Sequence, residues 1–119
     1  MRDYTELKVW QKAHQLVLAV YRESGLFPPK ERFGLTAHLR KTALSIPSNI
    51  AEGCGRETER DLGRFLIIAS GSASELEYQL QLARDLEYLH PDTHRLLTER
   101  VTEVRRMLFR FRQSLATRC

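Results

Sequence analysis

From Leu97 to Leu115 the apolar residues Leu97, Val101, Val104, Leu108, Phe111 and Leu115 return at intervals of 4, 3, 4, 3 and 4. That rhythm places one side chain per turn on a single face of an α-helix and matches the a/d seam of helices packed with coiled-coil geometry. A strand requires alternation in twos, which the chain nowhere shows. One helix cannot bury a seam of this length, so the rest of the chain has to supply facing helices.

Three earlier segments do so. Trp10, Ala13, Val17 and Val20 share one face of a helix predicted over about residues 6–24, with Thr5 placed to cap it and Tyr4 and Val9 placed as a hydrophobic staple. Its run Leu16-Val17-Leu18-Ala19-Val20 is apolar on every side. One bundle is expected to cover only part of such a run, which makes Leu16 and Leu18, together with Phe109 beyond the main seam, candidates for a subunit interface. Gly25 and Pro28-Pro29 end that helix. A second is predicted over about 30–52 from Leu35, Leu39, Thr42 or Ala43, Ile46 and Ile50, until Gly53-Cys54-Gly55 stops it. Pro47 lies inside it and lacks the N–H that would bond the Ala43 carbonyl, so a kink is expected unless Ser45 or Ser48 satisfies the freed group.

Thr58 and Asp61 resemble a capping box and open a third helix over about 59–88, with Leu62, Phe65, Ala69, Ser72, Leu76, Leu80 and Ala83 facing inward. Its middle, Ala69 to Ser74, is built almost wholly of small residues, which lets a neighbouring backbone approach. After the turn His90-Pro91-Asp92 the fourth helix runs over about 91–117. Short connections set successive helices antiparallel. The expected fold is therefore all-α, a single domain over residues 1–119 arranged as an up-down-up-down four-helix bundle kinked at Pro47.

Charge is unevenly placed. The chain has 19 Lys and Arg against 15 Asp and Glu, and residues 91–119 hold 7 of the former and 3 of the latter, leaving 12 of each in the remainder. The whole net charge of +4 thus sits in the last segment. Arg105 and Arg112 flank the apolar seam, while Arg106 and Arg110 project away from the core. These four are candidate nucleic-acid contacts, with Arg40, Lys41 and Arg56 as secondary ones; solvated-face charge and complementation of the helix dipole are the competing reading. No interleaving of aromatic and basic residues of the kind that stacks single-stranded bases is evident, so any binding is expected to be electrostatic and weakly selective.

Several chemistries find no support. No stretch approaches the roughly 18 uninterrupted apolar residues of a membrane span, and Met1-Arg2-Asp3-Tyr4 does not open a signal peptide, so a cytoplasmic protein without a membrane partner is expected. Cys54 and Cys119 form no metal-spaced set and read as free thiols. Glu87-Tyr88-Leu89-His90 is the only Glu-x-x-His pair, and His14, His38 and His94 lack the preceding Glu, so no di-metal site and no cofactor are expected. No nucleophile elbow or phosphate cradle is present, and no enzymatic activity is expected. Ser45, Asn49 and Glu52, at i, i+4 and i+7, share a helical face; Ser72 and Glu75 are placed to complete a polar network that sets helix register.

The words Leu7-Lys8-Val9-Trp10-Gln11-Lys12-Ala13, Phe33-Gly34-Leu35, Ser45-Ile46-Pro47-Ser48-Asn49-Ile50-Ala51-Glu52-Gly53, Gly55-Arg56, Gly71-Ser72, Glu75-Leu76-Glu77 and Gln79-Leu80 span most of the chain. Together they resemble the four-helix bundle family named after a protein encoded in intervening sequences of bacterial 23S ribosomal RNA genes. The resemblance implies a ring-shaped homo-oligomer, typically a homopentamer, with no established enzymatic activity. A similar branch, the accessory proteins of diversity-generating retroelements, binds nucleic acid and a reverse transcriptase through basic surface residues. Two functions follow as alternatives. One is an oligomeric scaffold that binds RNA or DNA. The other is an assembly or adaptor module in which the arginines only solubilise.

Overall fold

The computed structural model describes residues 2–116, so the expected helix end at 117 and the Cys119 thiol lie outside the described residues. Four long helices, α1 (Lys8–Ser24), α2 (Leu35–Cys54), α3 (Glu59–Asp85) and α4 (Pro91–Ala116), form a rod of 48 × 23 × 20 Å, with no strand among the described residues. The helices pack in chain order around a square: α1 lies beside α2 and α4, α3 lies beside α2 and α4, and among the described residues neither diagonal pair brings its backbones together. The contacts of the N-terminal segment with α4 run in opposite order along the two. Arg2 lies over the Phe111 ring, whereas Lys12, further along the chain, pairs with Glu103 at 3.3 Å.

Most of the predicted periodic faces form the core, but Trp10, Leu35, Phe65, Ser72 and Phe111 are only half-buried, and Leu66 and Ala73, outside the predicted α3 face, are buried. Leu39, Ile46, Ile50, Leu66, Leu76, Leu80, Val101, Val104 and Leu108 are almost wholly enclosed. The apolar run of α1 is not left over as the sequence suggested. Leu16 is 0% exposed and Val17, Ala19 and Val20 are buried with it; Leu18 alone, at 44%, faces outward. Leu16 is thus a core residue, not an interface residue, because α1 is covered from two sides, by α2 and α4.

Helix ends follow local chemistry, with two departures from expectation. At the start, Asp3 rather than Thr5 is the capping acceptor: its carboxylate takes the Thr5 N–H at 3.0 Å and caps a 3-10 turn over Tyr4–Glu6. Tyr4 packs edge-on against Trp10, ring centroids 5.0 Å apart. Between α1 and α2, Pro29–Glu31 forms a separate 3-10 turn and α2 begins only at Leu35, after Gly34 in a non-helical conformation. Thr58 caps α3 as expected, accepting from the Asp61 N–H at 3.1 Å. That helix closes at Asp85, short of 88, because Glu87 adopts φ 65° and the Tyr88 and Glu87 N–H groups turn back to the Ala83 and Arg84 carbonyls at 2.8 Å. This is a Schellman closure with Glu where Gly is favoured.

Pro47 is buried within α2, and the helix continues through it to Cys54. The Ser45 hydroxyl donates to the Thr42 carbonyl at 2.6 Å, one residue short of the Ala43 carbonyl freed by the proline. At Gly53 α2 and α3 approach closely: a Cβ there would stand 2.9 Å from the Phe65 Cβ and 2.9 Å from the Leu62 Cδ1.

Candidate nucleic-acid interface

Because the seam of α4 turns inward, residues one step to its side line the outer groove between α4 and α3. One end of the groove is bounded by Glu59, Arg60, Gly63, Arg64 and Ile67 of α3 and Arg112 and Leu115 of α4, with the Glu59 carboxylate engaged by Arg2 at 2.8 Å. The other is bounded by Ser70 of α3 and by Thr102, Arg105, Arg106, Phe109 and Arg110 of α4. The Arg112 guanidinium lies 5.8 Å from the centre of the Phe109 ring and so links the two ends. Phe109 is 51% exposed.

The arginines are not equivalent. Arg105 is held by Glu77 through two parallel hydrogen bonds of 3.2 and 3.3 Å, and it reaches the Ser74 hydroxyl at 3.5 Å. Its charge is matched and its fork is aligned by the carboxylate. Arg64 pairs with Asp61 at 3.4 Å, an exposed contact of small energetic weight. Among the described residues no carboxylate lies within ion-pair distance of Arg60, Arg106, Arg110 or Arg112. A groove with four guanidinium groups that form no ion pair among the described residues, beside an apolar strip of Ile67 and Phe109, favours positive potential next to a surface that water solvates poorly.

The secondary basic candidates lie elsewhere. Arg40 is committed to the fold: it donates to the Ser24 hydroxyl at 2.8 Å and the Tyr21 carbonyl at 3.1 Å, with its guanidinium over the Tyr21 ring, and so ties α2 to α1. Lys41 is exposed on α2, away from the groove. Arg56 pairs with Glu52 at 3.4 Å and covers the Phe65 ring.

The expected polar network resolves into local bonds. Ser45 donates to its own helix, the Asn49 amide donates to the Ser45 carbonyl at 2.7 Å, and Glu52 faces Arg56. Ser72 is half-buried, Glu75 is exposed, and neither hydrogen-bonds to the α2 set among the described residues. Side chains this short close onto the nearest backbone carbonyl before they can span two helices.

Two features escaped the sequence reading. Arg60, Arg64 and Ile67 stand at i, i+4 and i+7 on the side of α3 opposite Leu62, Leu66 and Ala69, a pattern visible in the sequence but given no weight beside the charge excess of the last segment. The expected lack of aromatic and basic interleaving is also corrected. Phe109 sits among Arg105, Arg106, Arg110 and Arg112 because residues 3 and 4 apart on a helix are neighbours.

Titration is perturbed away from the groove. The Tyr88 hydroxyl donates to Glu31 at 2.8 Å, and the Leu35 N–H also donates to that carboxylate at 3.2 Å. These bonds hold the Glu31 carboxyl below its usual range and push the Tyr88 phenol above its own. Burial raises the Cys54 thiol, which keeps it protonated and poorly nucleophilic. Among the described residues no three His, Cys, Asp or Glu side chains converge as metal ligands, and no helix is long and apolar enough to cross a membrane.

A family model described as 23S rRNA-intervening sequence protein matches residues 5–110. Arg60, Arg64, Arg105, Arg106 and Phe109 fall inside the match, whereas Arg112 lies beyond it. One similar solved structure is a crystal structure at 1.70 Å of a protein with unknown function from the S23 ribosomal protein family of Bacteroides thetaiotaomicron VPI-5482. It is 23% identical, superposes with a TM-score of 0.81, and the match covers 88% of this chain and 95% of that one. At that identity the likeness establishes the fold alone. No curated protein matches the chain.

Proposed function

The chain belongs to the 23S rRNA-intervening sequence protein family, and from that premise we propose that it is a non-enzymatic scaffold, assembled from several copies, that binds RNA or DNA along the α3–α4 groove. The observation that carries the reading is the gathering of Arg60, Arg106, Arg110 and Arg112 in one groove without carboxylate partners among the described residues. A phosphate backbone supplies the missing anions and releases its condensed counterions on binding. A ring would repeat the groove around its circumference and multiply a modest charge into a belt.

Fluorescence anisotropy with a generic RNA and a generic DNA at two salt concentrations tests this. Affinity is expected to fall steeply as salt rises. Arg106→Ala and Arg110→Ala should each reduce the slope of log K against log salt by about 1, whereas Arg105→Ala, already matched by Glu77, should leave it nearly unchanged. Absence of binding at low salt overturns the reading.

A second reading, an assembly or adaptor module without a nucleic-acid role, is favoured by one observation. Leu26 and Phe33, in the α1–α2 connection, are 79% and 85% exposed, and although Arg32 lies over the Phe33 ring they leave apolar surface that another chain can cover. Light scattering on Phe33→Ser separates the two: loss of the oligomer with nucleic-acid binding intact assigns Phe33 to assembly and the groove to recognition.

A further inference from the structure

Among the described residues that line the α3–α4 groove Phe109 is the one aromatic side chain, and its surroundings are those of a stacking platform. It is half exposed although it neighbours the buried Leu108. Arg112 lies over the ring, and Arg106 and Arg110 stand three residues before it and one after it on the same wall. Opposite, on α3, the lining is Ser70 and then Ile67 and Gly63, where an added Cβ would meet nothing within 4 Å. The groove floor is therefore low and apolar and its rim cationic. Arg105 is drawn aside by Glu77 and Ser74, and its guanidinium is thereby already ion-paired within the chain.

A duplex cannot use this arrangement. Its base faces are stacked inside, and two helices in contact lie only about 8–10 Å apart, so a double helix touches the arginine rims and leaves Phe109 solvated. A single strand enters: its phosphates meet Arg106 and Arg110 while an unstacked base lies on the Phe109 ring. Resting on the nucleic-acid reading above, we propose that the groove is a single-strand site in which Phe109 stacks a base and so discriminates single strands from duplexes.

The test measures anisotropy with a labelled single-stranded oligonucleotide and the duplex of the same sequence, using the full chain in its native assembly. A strand carrying 2-aminopurine reports stacking by its fluorescence. The wild-type protein is expected to bind the single strand at least about tenfold more tightly than the duplex and to change the 2-aminopurine emission on binding. Phe109→Leu, which keeps an apolar side chain and spares the fold, should weaken single-strand binding roughly 5- to 100-fold and leave duplex binding unchanged, while Phe109→Trp should retain the preference. Equal affinity for both forms, or an unaltered single-strand affinity in Phe109→Leu, overturns the stacking site and leaves the electrostatic reading standing. Failure of both probes to bind at low salt overturns the two together.

Discussion

Gly53→Ala gives the most direct measure of how the bundle is held, because the structure sets its cost atom by atom. The new Cβ would lie 2.9 Å from the Phe65 Cβ, 2.9 Å from the Leu62 Cδ1 and 3.3 Å from the Leu62 carbonyl oxygen. The Leu62 methyl can rotate away, but the Phe65 Cβ and the carbonyl are fixed to the α3 backbone, so α2 and α3 have to separate. Overpacking of this kind costs about 1–3 kcal/mol. Replacing a helical Gly by Ala returns up to about 1 kcal/mol, and less in a last turn. The net expectation is a loss of about 1–2 kcal/mol.

Gly63→Ala and Gly71→Ala are the internal controls, since a Cβ at either position meets nothing within 4 Å. Each should gain about 0.5–1 kcal/mol from helix propensity alone. Urea unfolding followed by circular dichroism at one protein concentration would measure all three, and the midpoint order should be Gly53→Ala below wild type and both controls above it. If Gly53→Ala unfolds at or above the midpoint of Gly63→Ala, the close approach of α2 and α3 at Gly53 is refuted.

Leu16→Ala should cost about 2–5 kcal/mol in the same assay, because Leu16 is fully enclosed in the core; a change of oligomer mass with no loss of stability would return it to an interface. Glu87→Gly should stabilise by about 1 kcal/mol, since Glu87 holds φ 65° at the closure of α3, where glycine meets no Cβ penalty; an unchanged or lower urea midpoint would contradict the assigned backbone. The lowered Glu31 carboxyl contributes stability that is present above its ordinary value of 4.5 and is lost as pH falls through its depressed folded value. Tyr88→Phe removes the largest cause of that depression, so its unfolding midpoint should fall less between neutral and acid pH than that of the wild type; parallel profiles would show that the Tyr88 bond is not the origin.

How far the sequence could be read depended on the range of each interaction. The four periodic segments, the Thr58 cap and the inward faces of α2, α3 and α4 were legible because a helix is closed by bonds between residues four apart. The start of the chain was misread by two residues: Asp3 and Thr5 are both good caps, and only the turn at Tyr4–Glu6 selects Asp3. The end of α3 was misread because Glu87 takes a left-handed conformation without the glycine that signals it.

The candidate site was half legible. The charge excess, the flanking position of Arg105 and Arg112 and the outward position of Arg106 and Arg110 follow from composition and the 100° helical step. The apolar run around Leu16 looked like surplus because a helical wheel gives the direction of a side chain but not what covers it; α2 and α4 cover it from two sides. Composition likewise places Arg105 and Arg106 side by side, yet Glu77, 28 residues from Arg105, neutralises one and leaves the other open. Nor does any local rule bring Arg60 and Ile67 of α3 to Arg112 and Phe109 of α4. By itself, then, the sequence determined four helices, their buried faces and a basic last segment. Which charges are free, and that they share a groove with Phe109, was decided only by tertiary structure, because it depends on the register between helices far apart in the chain, and that register is set by packing of the whole core.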